Sequence, residues 1–476
     1  MSRFIFLLSL SFCFQLCYGK YDVRMRTAGG SWNTCGIEKM YVANNTSTPS
    51  RTDSTYVAKI EMSQPVEIEI TTDFDIDSFQ IRPLSKKIVA QNDKRHITFT
   101  LPKPMYLSVE INGQLFQNLN ILADAHVKCD YDIYFGPGEH RLKGDTLAVK
   151  SNQTVYLDKD AIVRGWLAID DAHDVKIIGH GTILPVKHEG IMIRRSKNIV
   201  IDGPLTTQIP VGESDSVIIR NAKTISHFSW GDGLNVFASN NVTYQNVFCR
   251  TSDDCSTIYC TRKGYHGSCR NILIDGAVYW ADVAHPIMIG LHGDVEKNET
   301  IENVIYRNID ILYQSEKQID YQGCIAINNG DNILVKNLLF ENVNIERIDN
   351  GMLFNVRVCY NKKYCNAPGR GIEDVTFRNI SYKGQEPNVS LFVGYNEERK
   401  IKGIHFENLE INGRIISDDM PGKPRWYKTA DMAHCFIGEH VEQVSFSNTL
   451  SASQEIENKD VGLNDKTHSM YNNSKF

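Results

Sequence analysis

Asn198-Ile-Val-Ile-Asp-Gly203, Ser216-Val-Ile-Ile-Arg-Asn221 and Asn241-Val-Thr-Tyr-Gln-Asn246 carry one pattern: a polar residue, two apolar positions alternating with free ones, then Asn or Gly. The pattern begins at Asp174-Val-Lys-Ile-Ile-Gly179. It continues through Asn271-Ile-Leu-Ile-Asp-Gly276, Asn303-Val-Ile-Tyr-Arg-Asn308, Asn332-Ile-Leu-Val-Lys-Asn337, Asp374-Val-Thr-Phe-Arg-Asn379, Gly403-Ile-His-Phe-Glu-Asn408 and Gln443-Val-Ser-Phe-Ser-Asn448. Period-two alternation marks short strands, and the closing Asn or Gly turns the chain. Unit starts fall 18 to 42 residues apart, too irregular for propeller blades but natural for coils that carry loops of unequal length. Helical periodicity is nearly missing. The expected fold is all-β: a right-handed parallel β-helix, or solenoid, over residues 126–455, with a polar C-terminal tail at 456–476.

Upstream, Pro65-Val-Glu-Ile-Glu-Ile-Thr71, Ile97-Thr-Phe-Thr-Leu101 and Tyr106-Leu-Ser-Val-Glu-Ile111 alternate between turn residues. They predict a small N-terminal β-sandwich domain over residues 20–125. Residues 1–19 place Arg3 before an apolar run, Phe4–Leu16, and the small Gly19 before Lys20. That is the pattern of a cleaved signal peptide, so a secreted protein, extracellular or periplasmic, is expected. No later window is apolar enough to span a bilayer, so no membrane association is expected. The net charge of −6 leaves no basic face for nucleic acid. A monomer with no cofactor or metal is expected. Ten cysteines follow residue 19. Export makes disulfide bonds the expectation, with Cys359 and Cys365 bracketing a short loop and buried free thiols as the alternative.

A second strand in each coil aligns Glu189-Gly-Ile-Met-Ile-Arg194, Asp232-Gly-Leu-Asn-Val-Phe237, Asp254-Cys-Ser-Thr-Ile-Tyr259, His285-Pro-Ile-Met-Ile-Gly290, Gly323-Cys-Ile-Ala-Ile-Asn328 and Gly351-Met-Leu-Phe-Asn-Val-Arg357. Equivalent positions in neighbouring coils sit about 4.8 Å apart. Asp232, Asp253 or Asp254, and His285 therefore gather at one level. Crowded carboxylates repel, which raises at least one pKa and lets one group donate a proton while another stays ionised. Hydrolysis of a glycosidic bond by inversion needs that acid and base. Asp232, Asp253 and Asp254 are the catalytic candidates. Trp230, Tyr259 and Trp280 are candidates to stack on sugar rings, His285 to orient a carboxylate or bind sugar, His292 to bind sugar, and Lys263, Arg262 and Arg357 to hold any acidic substituent.

Asp232-Gly, Ser252-Asp-Asp-Cys255 and His285-Pro-Ile-Met-Ile-Gly290 resemble the aspartate strands of a β-helical clan. That clan holds the polygalacturonases of glycoside hydrolase family 28 and the dextranases and isopullulanases of family 49. The resemblance implies that the three aspartates perform inverting acid/base hydrolysis of a polysaccharide. Trp280 with Pro286-Ile-Met-Ile-Gly290, Ser108-Val-Glu-Ile-Asn-Gly-Gln-Leu-Phe-Gln-Asn-Leu-Asn120 and Tyr134-Phe-Gly-Pro-Gly138 are similar to the dextranase side. Polygalacturonases carry Asn-Thr-Asp where this chain has Trp230-Gly-Asp232, and Gly-His-Gly where it has Ala284-His285-Pro286. Their Arg-Ile-Lys motif has no counterpart here. The expectation is a dextranase-like glycosidase acting on α-linkages of a dextran-like glucan. Three alternatives stand beside it: a polygalacturonase-like pectin hydrolase, a calcium-dependent polysaccharide lyase and a carbohydrate-binding solenoid without activity.

Overall fold

Strand Val66–Thr72 alternates buried and half-buried residues along its whole length, as a strand with one face on a core must. It belongs to the first of two five-stranded sheets in a computed structural model that describes residues 20–48, 50–185 and 189–450. The expected signal segment at 1–19 and the tail at 456–476 lie outside the described residues. The first sheet runs in the order Asn33–Cys35, Tyr21–Thr27, Val66–Thr72, His96–Leu101 and Ala90–Asp93. The second runs Ile37–Asn44, Arg51–Met62, Leu119–Ala125, Tyr106–Ile111 and Phe79–Arg82. Val23, Ile68, Ile97 and Phe99 from one sheet meet Ile60, Leu107, Val109 and Ile121 from the other in a shared core.

From Ile133–Phe135 to Val441–Ser447 the strands form one continuous stack with parallel pairing between coils. Asn240–Thr251 pairs with Cys269–Ala281, which pairs in turn with Thr300–Ser315, Leu334–Ile345 and Gly371–Tyr382. Apolar residues stack up the axis, as in Phe340, Phe377, Phe406 and Phe446, with neighbouring ring centroids 5.2, 5.0 and 4.6 Å apart. Aromatic stacks of this kind add to burial.

The Asn that close the units take a left-handed backbone, with φ of 52° at Asn221, 49° at Asn246 and 58° at Asn308, which Asn tolerates better than most residues, and so do the Asn that open them, with φ of 55° at Asn241, 56° at Asn271 and 58° at Asn303. Their side chains chain together: Asn271 donates to Asn241 at 3.0 Å, Asn303 to Asn271 at 3.1 Å and Asn337 to Asn303 at 2.7 Å. Each rung satisfies the amide of the next, as in stacked amide ladders.

The structure joins none of the ten described cysteines in a disulfide. Cys249, Cys255, Cys260, Cys269 and Cys324 are fully buried and fill the solenoid interior as small apolar side chains.

The two domains meet through a buried seam that holds ion pairs. Arg82 pairs with Glu110, Lys223 with Asp124 and Arg250 with Asp282, all almost without solvent exposure. Trp280, Phe248, Leu312 and Tyr313 of the solenoid pack there against Met40, Val57 and Tyr106 of the sandwich.

Candidate active site

The register fixes the column that carries the aspartates. Leu234 pairs with Ser256 and Ser256 with Ile287. Two residues earlier, Asp232, Asp254 and His285 therefore occupy successive rungs. The main-chain bonds agree, from Gly233 N to Asp254 O at 2.9 Å and from Cys255 N to His285 O at 2.8 Å. One coil is missing from the alignment made on sequence: strand Ile209–Gly212 lies between Ile191–Arg194 and Leu234–Phe237. Its Pro210 disguises it, since proline inside a strand pattern argues against a strand.

Asp254 is buried and receives three donors: the Tyr259 hydroxyl at 3.1 Å, the His285 main-chain N–H at 3.2 Å and His285 Nδ1 at 2.7 Å. His285 Nε2 faces the Tyr321 carbonyl, which can only accept. Both ring nitrogens are thus engaged, and the ring is locked against Asp254.

Asp253 precedes it in the same turn, which is closed by Thr251 Oγ1 donating to the Asp253 carbonyl at 2.7 Å. Burial, then the charges of Asp232 and Asp254, push the Asp253 carboxyl well above its ordinary range, with Glu316 adding in the same direction. Burial and the charge of Asp254 raise Asp232 to about 7, opposed by the Asn235 amide and by Lys263 and Arg262. Asn235 Nδ2 donates to Asp232 Oδ2 at 2.5 Å. A neutral carboxylic acid beside an ionised carboxylate is the requirement of acid/base chemistry on an acetal.

These groups line a cavity of about 260 Å3 together with Trp230, Phe237, Tyr259, Arg262, Lys263, His292, Glu316, Tyr321 and Lys363, among others. Trp230 is 59% exposed at its rim. Lys263 lies over the Phe237 ring, 5.9 Å from its centroid. His292 is held near pKa 3 by burial and by the charges of Arg262 and Lys263, so its ring is neutral. It meets the Tyr259 ring edge-on at 4.9 Å.

Three substrate-binding candidates lie elsewhere. Trp280 is fully buried in the seam between the domains, where Nε1 donates to Asp282 at 2.9 Å and Arg250 stacks on its ring at 4.2 Å. The long strand Cys269–Ala281 carries Trp280 round the coil to the face that meets the sandwich. His285 is fully buried with both nitrogens engaged, so it orients Asp254 and does not reach a sugar. Arg357 is outside the cavity wall and gives its guanidinium to the Asp320 carbonyl.

Glu316, Gln318, Tyr321, Lys363 and Tyr364 were not foreseen. They sit on connections between strands, where no periodicity announces a side chain's direction. Which residues of the 359–370 segment face the cavity was not legible.

The family model "Glycosyl hydrolases family 28" matches residues 139–421. The probable endopolygalacturonase D of Neosartorya fischeri is 25% identical over 192 residues, 40% of this chain and 36% of the relative. Polygalacturonase QRT2 of Arabidopsis thaliana is 22% identical over 189 residues, 39% of this chain and 40% of the relative. The chain thus spans about two fifths of the length of these curated relatives. Among solved structures, a family 28 exopolygalacturonase of Yersinia enterocolitica matches with a TM-score of 0.50 at 12% identity, covering 81% of this chain and 97% of that one. Dex49A from Penicillium minioluteum matches with a TM-score of 0.47 at 13% identity, covering 90% and 94%.

Proposed function

The chain belongs to glycosyl hydrolases family 28 and is a glycoside hydrolase; on that footing we propose that it is a polygalacturonase-like enzyme cutting an α-linked, uronate-containing polysaccharide with inversion. The observation that carries the substrate is the set of basic side chains, Arg262, Lys263 and Lys363, on the wall of the cavity that holds the aspartates. A guanidinium and two ammonium groups around one sugar-sized space suit a carboxylate-bearing ring. A neutral glucan offers those cations no carboxylate of its own. This moves the substrate from the dextran-like glucan expected from sequence to the pectin-type alternative.

In the proposed reaction Asp253 is the acid, because like-charged neighbours and burial keep its proton on. It donates that proton to the glycosidic oxygen as the bond to the anomeric carbon breaks. Asp254, fixed by His285 and Tyr259, and Asp232, fixed by Asn235, hold and deprotonate the water that attacks the opposite face. Trp230 offers a flat apolar surface to a sugar ring at the rim. A polymeric substrate cannot enter a cell, and this supports the reading of the protein as a secreted one.

The test incubates the protein and its Asp253→Asn variant with polygalacturonate, dextran and pullulan, and measures new reducing ends and the anomer first formed by NMR. Release from polygalacturonate by the wild type alone, with the inverted anomer appearing first, is the expected result. Release from dextran alone would return the assignment to a glucanase. Equal release by the variant would remove the aspartate turn from the mechanism.

A further inference from the structure

The loop that leads from strand Lys223–Ile225 into Asp232 turns two rings outward, those of His227 and Trp230, both exposed. Its backbone is nonetheless fixed from below. Ser252 Oγ donates to the Phe228 carbonyl at 2.6 Å, Ser226 Oγ to the Gly231 carbonyl and Gln208 Nε2 to the Trp230 carbonyl, and all three donors belong to buried side chains. Aromatic rings held in place yet left in water point to a surface that a ligand covers.

The sandwich supplies the next ring. Tyr41 stands on its edge strand Ile37–Asn44, is 54% exposed, and lies with its ring centroid 5.5 Å from that of His227. His227 meets Phe228 at 5.7 Å in turn. Met40 and Val42, on the opposite face of the strand, are buried in the seam. Just past the strand, Asn45 Nδ2 donates to Ser315 O at 3.3 Å, and Lys317 Nζ donates to the Ser47 carbonyl at 2.7 Å and to Thr48 Oγ1 at 3.0 Å. The sandwich edge thus touches both connections that frame the cavity, 226–231 and 315–318, of which Trp230, Glu316 and Gln318 line it. Lys39 shares the exposed face with Tyr41, about 6.8 Å along the strand, and forms no ion pair among the described residues.

We propose that Tyr41 and His227, continuing from Trp230, form a distal subsite for the polysaccharide chain, so that the sandwich is part of the substrate-binding surface. This rests on reading the cavity as the place where a uronate polymer is cut. A cavity of about 260 Å3 takes a short piece of a polymer, and the rest of the chain leaves over the rim, where Trp230 stands. From there the exposed rings of His227 and Tyr41 offer flat apolar faces to successive sugars, and Lys39 offers a cation to a uronate. The family 28 match begins at residue 139, so Tyr41 and Lys39 lie outside it. The subsite is a property of the added domain and not of the family's solenoid.

The experiment measures KM and kcat for the whole protein and its Tyr41→Ala and Tyr41→Phe variants on oligogalacturonates of increasing length and on polygalacturonate. Tyr41→Ala is expected to raise KM about fivefold, the loss of one stacked ring, and only for chains long enough to reach the sandwich. Tyr41→Phe, which keeps the ring, is expected to follow the wild type at every length. Affinity gels cast with polygalacturonate read binding without turnover: the Asp253→Asn protein should be retarded, and the Asp253→Asn/Tyr41→Ala double variant less so. A KM for Tyr41→Ala that matches the wild type at every length, or that rises equally for short and long chains, would overturn the subsite while cleavage of polygalacturonate by the wild type left the function standing. A wild type that leaves polygalacturonate uncut would sink the pectin reading and the subsite together. A dimer in size-exclusion chromatography that Tyr41→Ala dissolves would assign this face to a second copy of the chain and overturn the subsite as well.

Discussion

Asp253 and Asp282 are two carboxylates on neighbouring coils, joined through the bond from Asp282 N to Thr251 O at 3.0 Å, and their surroundings are opposite. Asp282 is fully enclosed with Arg250, whose Nε and Nη2 reach it at 2.9 and 3.2 Å, and with Trp280 Nε1. Burial raises its pKa, and the Arg250 charge opposes the rise. Asp253 is pushed up by burial too, but its neighbours are carboxylates, and they add to the effect. Burial alone therefore does not distinguish a reactive carboxylate from a structural one. The sign of the neighbouring charge does. The first arrangement glues the sandwich to the solenoid, since Arg250 also donates to Asn118 Oδ1 at 2.7 Å and to the Leu115 carbonyl at 3.2 Å. The second stores a proton beside a cavity.

Replacing each carboxylate by its amide breaks the comparison most directly. Asp253→Asn should lower kcat by about 10²–10⁴-fold, the usual contribution of a general acid, with no loss of thermal stability. Asp282→Asn should do the reverse. It leaves Arg250 buried without a countercharge, and about 3–5 kcal/mol of stability should be lost in denaturant titration, with kcat/KM per folded molecule nearly unaltered. If Asp282→Asn folds normally but is inactive, the division between the two sites is wrong.

The tryptophans sharpen the same contrast at smaller cost. Trp280→Phe removes the bond to Asp282 and weakens the stacking on Arg250. It should cost about 1–3 kcal/mol of stability and leave KM alone. Trp230→Ala, at the rim, should raise KM several-fold, on the order of 1 kcal/mol of stacking, without touching stability. A rise in KM from Trp280→Phe would return that residue to the substrate.

The smallest expected effect has a sign that only the like-charge site predicts. Asp232 binds its proton more tightly folded than unfolded, up to about pH 7. The folded state therefore loses stability as pH rises from the ordinary carboxylate range through 7. Asp232→Asn removes that loss, so it should stabilise the protein at pH 8 by about 1–2 kcal/mol, the group being partly open to the cavity. The gain should disappear near pH 4. Thermal melts at the two pH values measure it, and an amide that destabilises at pH 8 would contradict the crowding of the site.

Much of this was legible before the structure. The repeats from Asp174 to Asn448 carry their own alternation, and each turn Asn names its conformation. The aspartates were legible because they sit at the starts of strands, where register is set by the inward-facing column of Leu234, Ser256 and Ile287. Trp280 was misplaced because sequence does not show that its strand bends onto the face covered by the sandwich. His285 was placed on the right rung with two tasks open, orienting a carboxylate or binding sugar, since the Tyr321 carbonyl that occupies its second nitrogen comes from 36 residues away.

The sequence by itself determined the all-β solenoid, its N-terminal sandwich and the column of Asp232, Asp254 and His285, because these follow from alternation and strand spacing, both local properties. Tertiary structure alone decided which buried charges are neutralised and which are not. It gave Arg250 to Asp282, set Asp232, Asp254 and Glu316 about Asp253 and brought Glu316, Lys363 and Tyr364 to the cavity. Coulomb energies depend on distances through space, and the chain separations of these groups carry no record of them.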